Sequence, residues 1–251
     1  MSISSNRKAG LSGKSVLLVG VGGLGCPTAL ALAASGIGRL VLADDDIVEA
    51  SNLHRQILFS DDDVGADKLD AAWAALTRAV SAETRIELVR SRFLPDNARD
   101  LARSVDLVVE GADNYATKFL VADACALENR AVVHGSAVRW RATVWAVRPG
   151  GAPCYRCLFE DLPIAGAQES CAEAGVMGPV AGLAGAMMAD LALRLLSSDV
   201  SATGIVHTYD GLSDRLRSVE VTARPDCALC SQGRTIFDID EARYLGRSCA
   251  A

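Results

Sequence analysis

At 251 residues with 50% hydrophobic and 22% charged side chains, the chain has enough apolar surface for a large core. This excludes a disordered segment and fits one large α/β domain. A formal charge of −6 gives no basic field for attracting nucleic acid or an anionic membrane surface, so neither is expected as a partner. Residues 1–14 hold no apolar segment of signal-peptide type, and the apolar stretch 176–196 is interrupted by Pro179, Asp190, Arg194 and several glycines. No membrane span is expected, and the expected location is cytoplasmic.

In chain order, Ser15 to Gly20 (SVLLVG) reads as a strand ending in glycine, Pro27 to Ser35 as an alanine-rich helix, and Arg39 to Ala43 as the next strand. The rhythm repeats: helix at 68–80, strand at 85–89, helix at 97–103, strand at 105–110, helix at 116–129, strand at 131–134. This alternation predicts a Rossmann-like, mostly parallel sheet with helices on both faces. Past that point Arg141 to Arg148 alternates as a half-buried strand, a loop-rich section runs to about Val176, and a helix rich in small residues fills 176–196. Strands at 204–209 and 217–222 then predict an antiparallel C-terminal extension of the sheet. The whole is read as a single domain, 1–251, with a nucleotide-binding βα core at 15–136, an extension at 137–232 and a tail at 233–251.

Gly20-Val21-Gly22-Gly23-Leu24-Gly25 lies between the first strand and the first helix. Here glycines permit a tight turn, and the helix N-terminus favours a phosphate. Asp44 stands nineteen residues past Gly25 at the end of the second strand, where a carboxylate can accept ribose hydroxyls. Asn52, Arg55 and Lys68 follow, and Asp113 and Asn114 occupy another strand end. Two cations and a metal-holding acid suit a triphosphate with Mg²⁺ better than a dinucleotide, so a cationic, magnesium-bearing pocket for a nucleoside triphosphate is expected. An NAD(P)-dependent oxidoreductase would explain the glycine turn and Asp44 but leave Arg55, Lys68 and Asp113 without purpose. A noncatalytic nucleotide-binding scaffold is the other alternative.

Eight cysteines fall unevenly. Cys154 and Cys157 form one CxxC pair and Cys227 and Cys230 another, which together supply the four thiolates that a structural Zn²⁺ prefers. Cys171 lies in a loop ahead of a helix, either as a transfer thiol or as an inert one. Cys26 and Cys125 read as core and Cys249 as tail, while His134 and His207 read as core or edge residues without a catalytic part.

The glycine turn, Asp44-Asp45-Asp46, the string SNLHRQ (51–56), Lys68, Asp113-Asn114, CYRC, CAEAGVMGP (171–179) and CALC occur in an order that resembles the MoeB/ThiF/HesA adenylyltransferases, which are related to ubiquitin-activating enzymes. Within that family the likeness is strongest to the molybdopterin-synthase adenylyltransferase branch, and it covers about 15–230. The resemblance implies that the triphosphate is ATP and that the chain is a nucleotidyltransferase that activates the C-terminal glycine of a small ubiquitin-fold sulfur-carrier protein ending in Gly-Gly, giving an acyl-adenylate and pyrophosphate. It further implies a phosphate cradle at Gly20, Gly22 and Gly23, ribose binding by Asp44 with Asp46 beside it, and phosphate contacts from Asn52, Arg55 and Lys68. Asp113, next to Asn114, would position Mg²⁺, zinc would sit in the two CxxC pairs, and Cys171 would be available for transfer. A homodimer and a separate sulfur donor are also expected. The family's N-terminal arginine motif has no match in 1–14, where Arg7 and Lys8 are the nearby cations.

Overall fold

The computed structural model describes residues 10–79, 84–163 and 175–245. Short runs dominated by apolar and β-branched residues form β1 (Ser15–Val19), β2 (Arg39–Ala43), β3 (Arg85–Val89), β4 (Leu107–Glu110), β5 (Ala131–Val138), β6 (Arg141–Val147) and β7 (Ile205–Asp210), and the exposed, mostly polar β8 (Arg215–Glu220) closes the sheet. They make one eight-stranded sheet in the order β3-β2-β1-β4-β5-β6-β7-β8. Pairing is parallel from β3 through β5 and antiparallel from β5 through β8, as the alternation predicts. The strand order reverses between β1 and β4, and ligands of open α/β sheets bind beyond such a switch point.

Period-2 alternation sends the two faces of each central strand into different cores. Val16, Leu18, Leu40, Leu42, Leu107 and Val109 pack under the helices α1 (Gly25–Ala34), α2 (Lys68–Ala79) and α6 (Gly178–Leu196). Leu17, Val19, Val41 and Val108 pack under α3 (Ala98–Arg103) and α4 (Tyr115–Leu127). The one-turn α5 (Tyr155–Leu158) lies against the same second core. Among the described helices only α6 is long and apolar enough by length and mean hydropathy to cross a membrane, a test that the core helix of a soluble protein also passes, and half of that stretch is buried inside the fold. It packs against α1, β5 and β6. Gly185 lets α6 approach α1 closely, since a Cβ there would run into Pro27 and the carbonyl of Leu24.

The structure departs from the sequence reading at several boundaries. The strand expected to end at His134 continues to Val138, because its second half pairs with β6 over Gly135, Ser136 and Ala137; tertiary pairing overrides their weak strand preference. Ser136 and Ala137, on either side of the expected division between core and extension, both belong to β5. The first helix begins at Gly25 rather than Pro27, with the Cys26 amide donating to the Gly22 carbonyl. Within the stretch read as a tail, residues 233–245 are anchored to the rest of the fold: Ile236 packs among the cysteine pairs, and the buried Tyr244 hydroxyl donates to Asp123 at 2.8 Å.

Candidate nucleotide site and cysteine cluster

A cavity of about 430 Å³ opens over the switch point, at the C-terminal ends of β1, β2 and β4. Gly20, Gly22, Gly23, Asp44, Asp46, Asn52, Arg55, Lys68, Asp113 and Asn114 all line it, so every residue expected to bind nucleotide comes to one place. Gly20 takes φ +88°, a left-handed conformation that favours glycine. Gly25 has no room for a Cβ against the Gly20 carbonyl. α1 begins without a side-chain N-cap, which suits an anion as the partner of its first amides. The Arg55 stem crosses Gly23, where an added Cβ would lie 3.2 Å from its methylenes. The Arg55 guanidinium donates to Asn52 Oδ1 at 2.6 Å.

Asp44 accepts the Val21 amide at 2.7 Å and the Asp46 amide at 3.0 Å, which ties the glycine turn to the end of β2. Lys68, in the first turn of α2, reaches Asp46 at 2.8 Å and Asp44 at 3.8 Å. Arg92 meets Asp45 at 3.2 Å. Arg55, Lys68 and Arg92 thus share the lining with Asp44, Asp45, Asp46 and Asp113. This corrects the expectation of a cationic pocket, because two of its three cations are already ion-paired with carboxylates. A triphosphate entering here is best accommodated with its own divalent cation. Asp113 is exposed, with the Asn114 amide 3.5 Å away, while Asn114 caps α4 by accepting the Thr117 amide at 2.9 Å.

Several lining residues escaped the sequence reading, among them Arg92, Phe93, Leu94, Ser136 and Ala137, while Gln56, which closes the SNLHRQ string, lines the cavity as well. The segment Arg92 to Leu94 follows β3, and the strand-end rule applied to Asp44 and Asp113 could have found it. Behind the Asp113 turn, Glu110, Lys118 and His134 are buried together. Burial alone would raise the Glu110 carboxyl, but the Lys118 ammonium and His134 outweigh it and hold it below the ordinary range. Burial also keeps His134 below its usual value, so the ring is neutral at pH 7. Its Nδ1 faces Glu110 at 3.1 Å, its ring lies on Tyr155 with centroids 4.7 Å apart, and its Nε2 is buried without a partner. The reading of His134 as a core residue holds, and His207 lies on β7 with its ring against the Ser218 hydroxyl.

Cys154, Cys157, Cys227 and Cys230 converge, with sulfur separations of 3.9 Å (Cys154 to Cys157), 3.5 Å (Cys154 to Cys227) and 3.3 Å (Cys157 to Cys230). All four sulfurs lie within 4.8 Å of one another. A tetrahedral Zn²⁺ with bonds of about 2.3 Å needs sulfurs about 3.8 Å apart, so the cluster could hold zinc. Between the ligands of the first pair, the buried Arg156 clamps Asp123 through two bonds of 2.8 and 2.9 Å. That clamp, invisible in the cysteine spacing, fixes α5 to α4. Cys26 and Cys125 are buried as expected, and burial pushes the Cys26 thiol up to about 12. Cys171, Cys249, Arg7 and Lys8 lie outside the described residues.

The ThiF family pattern matches residues 2–229. The chain belongs to the ThiF family. Among its curated relatives, the SAMP-activating enzyme E1 of Haloferax volcanii is 38% identical over 236 residues, covering 94% of this chain and 86% of that protein. The adenylyltransferase and sulfurtransferase MOCS3 of Bos taurus is 41% identical over 241 residues, covering 95% of this chain but 53% of MOCS3. The ThiF-family chain thus spans about half the length of that relative. The expected enzyme class, nucleotidyltransferase, accords with the name of the bovine relative. In fold the ThiF-family chain is similar to E. coli MccB crystallised with ATP, at a TM-score of 0.76 and 23% identity over 90% of this chain and 69% of MccB.

Proposed function

We propose that this ThiF-family chain is an ATP-dependent adenylyltransferase that activates the C-terminal glycine carboxylate of a small ubiquitin-like sulfur-carrier protein. The observation that carries the reading is the convergence of the glycine turn, Asn52, Arg55, Lys68 and Asp113 on one cavity at the switch point of the sheet. The names of the two curated relatives, a SAMP-activating enzyme and an adenylyltransferase, support the same chemistry. ATP would lie with its phosphates over the glycine turn and its ribose toward Asp44. Arg55 and Lys68 would take up negative charge as the innermost phosphorus is attacked and pyrophosphate leaves.

The nucleophile is a carboxylate, already ionised at neutral pH, so the site needs alignment and charge stabilisation rather than a general base. Asp113, a hard oxygen donor open to the cavity, fits Mg²⁺, which supplies charge neutralisation on phosphate oxygens when bound. The four cysteines would hold a structural zinc that ties the loop after β6 to the C-terminal segment. The product acyl-adenylate would serve sulfur transfer, with sulfur delivered by a separate donor, Cys171 a candidate transfer thiol and a homodimer the working form. We place the enzyme in the cytoplasm. The test is carrier-dependent ATP–pyrophosphate exchange with Gly-Gly-terminated carriers, run beside separate binding titrations of ATP and NAD⁺. Exchange that requires the carrier's terminal glycine is expected. Binding of NAD⁺ but not ATP would overturn the reading.

A further inference from the structure

Asp113 sits on a four-residue turn between β4 and α4, and that turn is held from beneath by a buried charged cluster. Glu110, the last residue of β4, is 0% exposed, and its Oε1 accepts the backbone amide of Ala112 at 2.6 Å. Lys118, in the second turn of α4 and 5% exposed, donates to Glu110 Oε1 at 3.0 Å, to Glu110 Oε2 at 3.1 Å and to the Gly135 carbonyl of β5 at 2.6 Å. His134 stands directly across from Glu110 in the parallel register of β4 and β5, with Nδ1 3.1 Å from Oε2. One carboxylate therefore gathers a backbone amide, an ammonium and an imidazole from three elements. On the other side of Asp113, the Asn114 cap holds the turn to α4.

Stability alone is a poor account of this cluster, because a buried ion pair repays its desolvation only in part and is often replaceable by apolar residues without loss. What an apolar replacement would forfeit is the acceptor for the Ala112 amide, one residue from Asp113. We propose that the Glu110–Lys118–His134 cluster is a positioning device that fixes the Ala112 amide and so presents the Asp113 carboxylate to the reacting phosphates. Glu110 and Lys118 are positioning residues, touching neither nucleotide nor carrier. Lys118 orients Glu110, Glu110 anchors the turn, and His134 occupies the remaining acceptor site of the carboxylate. The inference rests on the adenylation reading above.

Two uncharged double variants separate positioning from charge and from stability. Glu110→Met/Lys118→Met removes both charges and the acceptor, whereas Glu110→Gln/Lys118→Met removes both charges and keeps an oxygen for the Ala112 amide. In carrier-dependent exchange the first is expected to lose kcat by about tenfold to a hundredfold, as a misplaced group does, with KM for ATP within about twofold of wild type. The second is expected to recover most of that kcat. Wild-type kcat in the first variant, or equal losses in both, overturns the proposal. Amide hydrogen exchange at Ala112 in the unaltered protein adds a reading that needs no variant: protection well above that of the Asp113 amide is expected, and equal, fast exchange at both overturns the proposal. If wild type itself shows no carrier-dependent exchange, the adenylation reading fails, and the Ala112 measurement still reports on the anchor.

Discussion

Asp113 and His134 lie on opposite sides of the same turn and call for opposite kinds of test. Asp113 is exposed and bears little of the fold, so Asp113→Ala is expected to leave the unfolding midpoint unchanged while exchange falls at least about a hundredfold; a steady-state assay beside a denaturation curve checks both. His134 is buried neutral among Glu110, Lys118 and Tyr155, with its pKa depressed chiefly by burial. The unfolded chain gains a proton near pH 6.5 that the folded ring refuses, so this residue's contribution to stability is full above that pH and is lost as pH falls below it. Between pH 7 and 5.5 the unfolding free energy of wild type is expected to drop by up to about 1 kcal/mol more than that of His134→Gln, measured by urea denaturation at each pH. The candidate nucleotide-site residues were legible because the glycine turn, Asp44 and Asp113 each follow a strand end, and Asn52, Arg55 and Lys68 stand close after Asp44 in the chain. Glu110 and Lys118 were not, because their meeting depends on the register of β4 with β5 and on the docking of α4, neither of which leaves a mark in spacing.

At the level of elements, the approach of α6 to α1 links the packing of a helix rich in small residues to the glycine turn that precedes α1. A Cβ at Gly185 would press on Pro27 and on the Leu24 carbonyl 2.5 Å away, whereas one at Gly182 would meet nothing within 4 Å. Gly185→Ala is therefore expected to cost about 1–3 kcal/mol and to weaken ATP binding by shifting the start of α1. Gly182→Ala is expected to be neutral or to stabilise by up to about 1 kcal/mol. Denaturation and nucleotide titration of the pair, side by side, check the contrast. The sequence made α6 recognisable as a close-packing helix, since glycine and alanine recur along 181–192. Its partner was hidden, because Thr28 of α1, which donates to both Leu24 and the Gly185 carbonyl, looks like any first-turn threonine.

Across the whole molecule, the cysteine cluster joins segments seventy positions apart, from Cys157 to Cys227. Elemental analysis is expected to find about one zinc per chain. Stripping the metal, or Cys227→Ser, should lower the unfolding free energy by about 4 kcal/mol if closing a loop of that length is the main effect; an unchanged denaturation curve would count against a structural metal. The parallel core and antiparallel extension were readable from the change of rhythm after His134. The order of strands was not, nor was the packing of residues 233–245, whose anchors Ile236 and Tyr244 stand in an otherwise polar stretch. β5 belongs to both parts at once, pairing with β4 through residues 131–134 and with β6 through residues 132–138. A polypeptide severed between Ser136 and Ala137 would give two fragments that each carry an incomplete share of the central ladder. Neither half should fold in isolation; mixing them should regenerate the protein by complementation, with nucleotide binding as the reporter.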